Sequence, residues 1–260
     1  MSVPASVEHH GFQIPRHLAW RTGRLDQFRE VSDNHIALLR TYARLDQAMH
    51  VVEIGCGVGR DAIPLRALLP KEGSYLGIDV MRPSIEWAAA NIISDTPRFE
   101  FVHFDVADAQ HNPGGQSEMT GHVITREDSS VDLVFLYSVF THMFPRDVSH
   151  YLREFSRVLR PGGRVLASLF TMDRSLIPHL EAIGGGGLRK LTFAHEVEPG
   201  FFHNDPEVVP GATAYSLDRL SALLRDTDLS PERFVRGTWR RDGSGDIEGQ
   251  DLVILSKRAF

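Results

Sequence analysis

A glycine-rich loop between a short apolar run and a helical pattern is the feature that most restricts the fold of this chain. The apolar run covers residues 51–54, and Gly55, Gly57 and Gly59 alternate with other residues directly after it. Glycine lets the backbone turn tightly and lets a ligand approach with no Cβ in the way, and the helix that follows begins with free N–H groups. The pattern predicts a nucleotide-type ligand at the carboxyl end of a strand.

Apolar runs and helical patterns alternate along the first two thirds of the chain. Most runs are rich in β-branched and aromatic residues and are bounded by turn formers, which is typical of strands. Strands that alternate with helices indicate crossover connections and a mostly parallel sheet. A last pair of strands around a turn at 241–245 is predicted to form an antiparallel hairpin. The predicted strands are 51–54, 75–78, 99–102, 131–139, 164–170, 233–239 and 251–256, and the predicted helices are 32–45, 61–69, 83–93, 146–159 and 216–226.

Acidic residues stand at the ends of the next two predicted strands. Asp79 ends the second strand, Asp105 follows the third, and the same number of residues separates Glu53 from Asp79 and Asp79 from Asp105. The three carboxylates are therefore expected at successive strand ends along one crevice. An acid after the second strand can bind ribose hydroxyls with both oxygens, and an acid after the third can accept a hydrogen bond from an adenine amino group.

The loop differs from the loops of other nucleotide-binding families. A dinucleotide site requires G-x-G-x-x-G/A, and its third position falls on Arg60 in this chain. That glycine is needed for close packing of helix on strand, so NAD is disfavoured. The chain also lacks G-x-x-x-x-G-K-[ST], the loop that binds the phosphates of ATP or GTP.

Five motifs in this order resemble those of the class I S-adenosylmethionine-dependent methyltransferases. The resemblance covers residues 47–172 by motif and 216–258 by topology. It implies an α/β, Rossmann-like, doubly wound fold with a mostly parallel seven-stranded sheet that ends in an antiparallel hairpin. The motifs are residues 53–59, Asp79, Asp105 with Val106, residues 129–134 and residues 158–163.

The resemblance also implies S-adenosylmethionine as the cofactor. In this family pattern Asp79 would bind the ribose, and Asp105 with Val106 would form the adenine site. Tyr137 and Ser138 would face the sulfonium or the methionine carboxylate, with ordinary packing at the strand end as the alternative. The predicted cofactor-binding residues are Glu53, Gly55, Cys56, Gly57, Gly59, Arg60, Asp79, Val80, Asp105, Val106, Tyr137 and Ser138.

His142 follows the fourth predicted strand and is the candidate catalytic residue. Methyl transfer from a sulfonium mainly requires alignment of donor and acceptor, and a base helps where the acceptor must lose a proton. Histidine titrates near neutral pH and can be that base, with capping or packing against the next helix as the alternative. Arg60 is predicted to pair with an acid or with the cofactor carboxylate, or else to be solvated. Cys56 is predicted to be a small packing residue, because no base accompanies it as a nucleophile would require.

Composition restricts the partners. The chain has 28 basic and 34 acidic side chains, a net charge of −6 and no lysine-rich block, so binding to nucleic acid or to an anionic membrane is not expected. The single cysteine excludes an internal disulfide. Since the apolar runs are too short for a membrane helix and no signal peptide is recognised, a cytoplasmic location is expected. No metal site is predicted, and the oligomeric state is left open.

The domain prediction is an N-terminal helical or lid segment at 1–46 and a methyltransferase domain at 47–260. An irregular insertion at about 173–215, with four consecutive glycines and several aromatic residues, is predicted to form a substrate lid. Histidines near the N-terminus, including His9 and His10, are predicted to be on the surface.

The favoured function is methyl transfer to a small-molecule hydroxyl. The alternatives are N-methylation of an amine or amino sugar, methylation of RNA or protein, and a non-catalytic module that binds the cofactor. The glycines and the two strand-end acids argue against a decayed site, and no RNA-binding module is visible beside them.

Overall fold

The computed structural model describes residues 5–108, 111–187, 190–205, 207–208 and 211–259. The strands are β1 (Ser6–His9), β2 (Phe12–Pro15), β3 (His50–Ile54), β4 (Ser74–Asp79), β5 (Ser94–Asp95), β6 (Arg98–His103), β7 (Val131–Leu136), β8 (Leu159–Leu169), β9 (His195–Glu198), β10 (Phe201–His203), β11 (Thr213–Tyr215), β12 (Leu229–Val235) and β13 (Asp251–Lys257). The α-helices are α1 (Arg16–Thr22), α2 (Phe28–Ala43), α3 (Ala62–Leu68), α4 (Arg82–Asn91), α5 (Pro145–Val158), α6 (Ile177–Ala182) and α7 (Leu217–Leu223). None of these helices has the length and apolarity that crossing a bilayer would take.

The main sheet has the strand order β12-β13-β8-β7-β3-β4-β6-β5. Strand β4 runs parallel to β3 and to β6, whereas β13 runs antiparallel to both β8 and β12. The predicted α/β class and the antiparallel final pair are therefore confirmed. The strand beyond the predicted seven is β5, a two-residue edge strand that pairs antiparallel with β6.

The boundaries of β8 and β12 differ from their predictions for local reasons. Strand β8 begins at Leu159 rather than at 164, because α5 ends at Val158 and the backbone of Leu159 is already extended. Strand β12 begins at Leu229 and ends at Val235, so it overlaps only the first part of the predicted 233–239, and it carries Pro231 at a register shift. An edge strand tolerates a proline because its outer N–H makes no ladder bond.

The chain divides into two compact units. One comprises the described residues up to Glu118 together with Val131–Phe135, and the other comprises Met119–Ser130 together with the described residues from Leu136 onward. The glycine loop and the two strand-end acids belong to the first unit. His142 and the described part of the insertion belong to the second.

The N-terminal segment contains more structure than the predicted helix. A β1–β2 hairpin precedes α1 and α2, and α2 includes most of the predicted helix at 32–45. The surface prediction was wrong for His9, whose exposure is 0%. Its ring packs edge-on against Phe28 at 5.2 Å, and its Nε2 donates to the carbonyl oxygen of Arg60 at 2.8 Å.

The insertion is ordered where the sequence predicted an irregular segment. Its described residues form α6 and a three-stranded antiparallel sheet, β11-β10-β9. Strands of three or four residues are too short for their alternation to be recognised. The core beneath them also includes residues from outside the insertion. Its buried members are Phe170, Met172, Leu180, Leu191, Phe193, Phe202, Ala214 and Trp239.

A buried polar cluster in the second unit is centred on Asp251, whose exposure is 0%. Its Oδ2 accepts hydrogen bonds from the amide and hydroxyl of Thr171, both at 2.8 Å, from Trp239 Nε1 at 3.0 Å and from Arg240 Nη2 at 3.2 Å. Its Oδ1 accepts from the Gly237 amide at 2.8 Å. A buried carboxylate with this many donors is fully satisfied.

Candidate cofactor site

The glycine loop follows β3, and Gly55 is its exposed residue. Gly55 has a φ of 76°, and its amide donates to the carbonyl oxygen of Ile78 at 2.8 Å. The neighbours Ile54 and Cys56 are both buried. Gly55 therefore presents bare backbone at the carboxyl end of β3, with no Cβ to keep a ligand away.

The next two glycines of the loop are required by the packing of the protein itself. A Cβ on Gly57 would lie 2.8 Å from Thr22 Oγ1, and a Cβ on Gly59 would lie 2.4 Å from Ile92 Cδ1. The sequence predicted that a ligand could approach the whole loop. Gly55 is the glycine that is exposed for such an approach, whereas Gly57 and Gly59 face other atoms of the protein. Thr22 ends α1, so the N-terminal segment lies directly against the loop.

Asp79 joins the end of β4 to the glycine loop. Its Oδ2 accepts from the Gly57 amide and its Oδ1 from the Met81 amide, each at 2.7 Å. Burial raises the pKa of this carboxyl, while the bonds from Met81 and Gly57 oppose that rise. A carboxylate has about four acceptor sites, so Asp79 can hold the loop and still accept ribose hydroxyls. Val80, beside it, accepts a hydrogen bond from His103 Nε2 at 3.0 Å through its carbonyl oxygen.

Asp105 and Val106 follow β6, the neighbour of β4. Asn112 Nδ2 donates to Asp105 Oδ1 at 3.2 Å and to the Val106 carbonyl at 2.9 Å. The amides of Gln116 and Ser117 both donate to the Asp105 carbonyl at 3.1 Å. These bonds fold the segment after β6 back on itself. The carboxyl ends of β3, β4 and β6 are neighbours in the sheet, as the spacing of the three acids predicted.

Glu53 and Cys56 lie beneath the loop. Glu53 accepts a short hydrogen bond from the Tyr75 hydroxyl, and burial, reinforced by Asp61, raises the pKa of its carboxyl. The Cys56 thiol is buried, and burial raises its pKa as well. Both side chains therefore support the loop from the interior, and Cys56 has the packing position that was predicted for it.

Arg60 is held by the N-terminal segment. Its Nη1 donates to the Thr22 carbonyl at 3.1 Å, its guanidinium carbon lies 5.7 Å from the centre of the Phe28 ring, and its Nε is 3.6 Å from Asp61 Oδ1. The side chain is only 12% exposed, so it is not a solvated arginine. Pairing with an acid is observed, and pairing with the cofactor carboxylate stays a prediction.

Asp61 is the buried anion of this cluster. His35 Nδ1 donates to its Oδ2 at 2.7 Å. Burial by itself raises the pKa of the Asp61 carboxyl, but His35 and Arg60 outweigh it and lower that pKa to about 2. The carboxylate therefore remains charged, and it anchors α2 to the start of α3.

We expect acid to destabilise the protein through Asp61. A folded-state pKa of about 2, below the ordinary 3.8, stabilises the folded state by about 2 kcal/mol above pH ~4. That stabilisation is lost as the pH falls from about 4 to about 2. Urea unfolding near pH ~4 and near pH ~2 should show a larger loss for the wild type than for Asp61→Asn; this window lies below the ordinary titration range of His35, whose pKa is lowered by burial. Asp33→Asn, at an exposed acid, should behave as the wild type, and equal losses in wild type and Asp61→Asn would contradict the expectation.

The remaining predicted site residues lie in the second unit, after β7. Tyr137 is partly exposed. Ser138 is exposed and has a φ of 60°. His142 ends a 3₁₀ turn, and its Nδ1 donates to the Gly211 carbonyl at 2.7 Å. Strand β7 ends at Leu136, earlier than the predicted 139, because the backbone turns at Ser138.

Several residues that hold the glycine loop, Asp61 and Asp105 in place are not predicted by the sequence. Thr22 against Gly57 and His35 on Asp61 are long-range partners that become adjacent only through tertiary packing. Asn112 is seven residues from Asp105, and it meets that carboxylate because the loop after β6 folds back. His9 is the last residue of β1, and its burial against Phe28 is not indicated by the His9–His10 pair alone.

The residues of the first unit fit an adenosine-type cofactor. Gly55 offers open backbone, Asp79 has acceptor capacity for hydroxyls beyond its two amide bonds, and Asp105 stands at the next strand end.

A family model described as "Methyltransferase domain" matches residues 52–165. The chain is 30% identical over 236 residues to phthiotriol/phenolphthiotriol dimycocerosates methyltransferase 1 of Mycobacterium ulcerans, which covers 88% of this chain and 76% of that protein. The chain belongs to the class I S-adenosylmethionine-dependent methyltransferases.

Solved structures agree with this assignment at the level of the fold. A SAM-dependent methyltransferase from Methanosarcina mazei aligns with a TM-score of 0.56 at 22% identity, over 86% of this chain and 98% of that chain. The cofactor of this methyltransferase is S-adenosylmethionine, which carries an electrophilic methyl group on a sulfonium.

Other relatives of this methyltransferase have different names. Methyltransferase GfsG of Streptomyces halstedii is 37% identical over 194 residues, which is 74% of this chain and 60% of GfsG. An arsenite methyltransferase of Aquipseudomonas alcaligenes is 28% identical over 231 residues, 85% of this chain and 62% of that protein. The chain thus spans about 60% of the length of these curated relatives.

Replacing Asp79 with alanine is expected to weaken cofactor binding. The change removes hydrogen bonds from a charged group, each worth about 1.5–3 kcal/mol, so the Kd for S-adenosylmethionine should rise about 10- to 150-fold. Calorimetry measures the affinity, and a thermal melt shows how much of the loss comes from release of Gly57. Asp95→Ala, at an exposed acid on β5, is the matched control. Unchanged affinity in Asp79→Ala, or tighter binding of NAD by the wild type, would contradict the assignment of this acid.

Proposed function

We propose that this methyltransferase transfers the methyl group to a hydroxyl of a small molecule, with His142 as the general base. The observation that carries the proposal is the hydrogen bond from His142 Nδ1 to the Gly211 carbonyl. A carbonyl oxygen only accepts, so Nδ1 carries the proton. In the neutral ring Nε2 then holds the lone pair, which is the state that a base needs.

The segment that carries His142 is braced by the insertion. Thr213 Oγ1 donates to the Phe140 carbonyl at 3.2 Å, and the Tyr215 hydroxyl donates to the Met143 carbonyl at 2.6 Å. Both donors lie on β11, close in sequence to Gly211. The insertion thereby holds the 140–143 turn and also orients the His142 imidazole. These two contacts support the proposal that the insertion lies next to the acceptor.

We further propose that residues 1–46 and 173–215 act as lids in the complete complex. The contacts of Thr22 and Arg60 support this for the N-terminal segment, and the bracing of residues 140–143 supports it for the insertion. Slower hydrogen exchange in both segments when cofactor and acceptor bind is the expected result. No protection in either segment would remove the proposal.

The names of relatives support a small-molecule acceptor without specifying it. One relative is named an O-methyltransferase, cnsE of Penicillium expansum, and another 27-O-demethylrifamycin SV methyltransferase, of Amycolatopsis mediterranei. A tRNA N(3)-cytidine methyltransferase of Gallus gallus matches 48% of the chain. The net charge of −6 gives little support to nucleic acid as the substrate here.

The test is a methyl-transfer screen with S-adenosylmethionine carrying a labelled methyl group. Fractionated metabolites, bulk tRNA and a protein extract are the three pools of acceptors, with mass spectrometry as the readout. Label on an oxygen of one metabolite is the expected result. Label on nitrogen, on tRNA or on protein would replace the proposal with one of its alternatives.

A further inference from the structure

Ser138 has an uncommon backbone conformation at the carboxyl end of β7. Its φ of 60° is in the left-handed region, where residues with a side chain are rarely found. Such a conformation persists where the surrounding structure holds it. Ser138 is also exposed, so the same residue is both constrained and accessible.

A closed ring of hydrogen bonds holds Ser138 in place. Its amide donates to Ser168 Oγ at 2.8 Å, Ser168 Oγ donates to Gln250 Oε1 at 2.6 Å, and Gln250 Nε2 donates to Ser138 Oγ at 2.9 Å. Each of the three residues is a donor to the next. The ring joins the end of β7 to β8 and to the residue that precedes β13.

Strand pairing explains why Gln250 can reach Ser168. Leu252 lies directly opposite Ser168 in the β8–β13 pair, so Gln250, two residues before Leu252, lies on the same face as Ser168 at the diagonal position. The backbone of Gln250 packs closely against Gly237, where an added Cβ would lie 2.4 Å from the Gln250 carbonyl carbon. The neighbouring Asp251 is fixed by its own buried donors.

The direction of the ring determines which hydrogen-bonding group is left over. Ser168 Oγ accepts from the Ser138 amide, so its own proton is available for the amide oxygen of Gln250, and the NH₂ group of Gln250 then faces Ser138. Ser138 Oγ therefore acts as an acceptor within the ring. Its own hydroxyl proton makes no hydrogen bond to any residue that the structure describes.

We propose that Gln250 is a positioning residue that aims the Ser138 hydroxyl as a donor at an oxygen atom of the bound ligand, which rests on the methyl-transfer function proposed above. A donated proton suits a carboxylate, carbonyl or phenolate oxygen, and it does not suit a cationic sulfonium. The oxygen belongs either to the methionine carboxylate of the cofactor or to the methyl acceptor. Ser138 would touch the ligand, and Gln250 acts only through Ser138.

The substitution Gln250→Glu tests this proposal with almost no change of shape. A carboxylate can accept from Ser168 as the amide oxygen does, but it cannot donate to Ser138, and it takes the Ser138 proton for itself. We expect about a tenfold loss. The loss will appear in the affinity for S-adenosylhomocysteine if the oxygen is the cofactor's, and in KM with the acceptor found by the screen if it is the acceptor's.

The pH dependence separates positioning from general damage to the structure. Protonation of the carboxylate introduced by Gln250→Glu restores a donor, so the ratio of mutant to wild-type performance should rise as the pH is lowered from about 7.5 towards about 5. Ser138→Gly removes the hydroxyl but accommodates the left-handed φ. It should therefore melt no lower than the wild type and still show the tenfold loss. Gln47→Glu, at an exposed glutamine, controls for the added charge.

Three results would overturn the proposal. The first is Gln250→Glu and Ser138→Gly both within twofold of the wild type, judged on S-adenosylhomocysteine affinity alone if the screen yields no acceptor. The second is an equal effect of Gln47→Glu. The third result concerns the case in which Gln250→Glu does not fold. In that case a folded Ser138→Gly variant that retains full affinity and rate would overturn the proposal. Failure of the proposed function is a separate result, because it is seen as a wild type that transfers no methyl group.

Discussion

His142→Ala is expected to lower kcat by about 10²–10⁴-fold, the usual contribution of a general base. The pKa of an alcohol is far above 7, so transfer to a hydroxyl benefits from removal of its proton, while a neutral amine needs no such help. Affinity for S-adenosylmethionine should stay nearly intact. The wild-type rate should also rise with pH as the imidazole becomes neutral, because only the neutral ring accepts a proton.

Steady-state kinetics with the acceptor from the screen, measured across pH, checks this expectation. His142→Gln is a useful companion, since an amide can donate to the Gly211 carbonyl but is not a base. It should be as inactive as His142→Ala if proton removal matters. A variant with near-normal kcat would make His142 a packing residue and would favour an amine acceptor, with alignment of donor and acceptor as the whole mechanism.

The central part of the fold was predictable because its determinants are local. The β3 run, the three alternating glycines and the acids that follow β4 and β6 are each readable in a short window, and their order restricts the topology. The β9–β11 sheet was not predictable in this way. Its strands have three or four residues, and its core takes Phe170 and Trp239 from outside the insertion.

The same distinction applies to the candidate site. Asp79 and Asp105 could be placed from their positions at strand ends. The contacts around them could not, because Thr22 reaches the Val58 amide from the N-terminal segment and Asn112 reaches Asp105 only through the folding of a loop. In the second unit, Gln250 likewise reaches Ser138 from a distant point in the chain. The sequence thus predicts which groups can meet a cofactor, whereas the packing determines how those groups are held. The hydrogen bond from the Gly57 amide to Asp79, the candidate ribose ligand, is an example of a contact that only the packing determines.

Asp251→Ala is expected to cause the largest loss of stability, about 3–5 kcal/mol in the free energy of unfolding. The carboxylate is fully buried and accepts from Thr171, Trp239, Arg240 and Gly237. Its removal leaves the guanidinium of Arg240, whose side chain is only 10% exposed, as an uncompensated buried charge. Urea unfolding at neutral pH measures the change, with Asp246→Ala at an exposed acid as the matched control.

The double variant Asp251→Ala with Arg240→Met separates the charge from the packing. Arg240 also donates to the Thr171 carbonyl at 2.8 Å, so the double variant loses that bond but no longer buries a lone cation. If the unpaired charge dominates, the double variant should be more stable than Asp251→Ala alone, because removing both partners of a buried pair is often close to neutral. A double variant that is less stable than Asp251→Ala would show instead that the hydrogen bonds of Arg240 outweigh its charge. A loss below about 1 kcal/mol in Asp251→Ala, within the range of ordinary substitutions, would mean that solvent reaches the cluster and satisfies its donors.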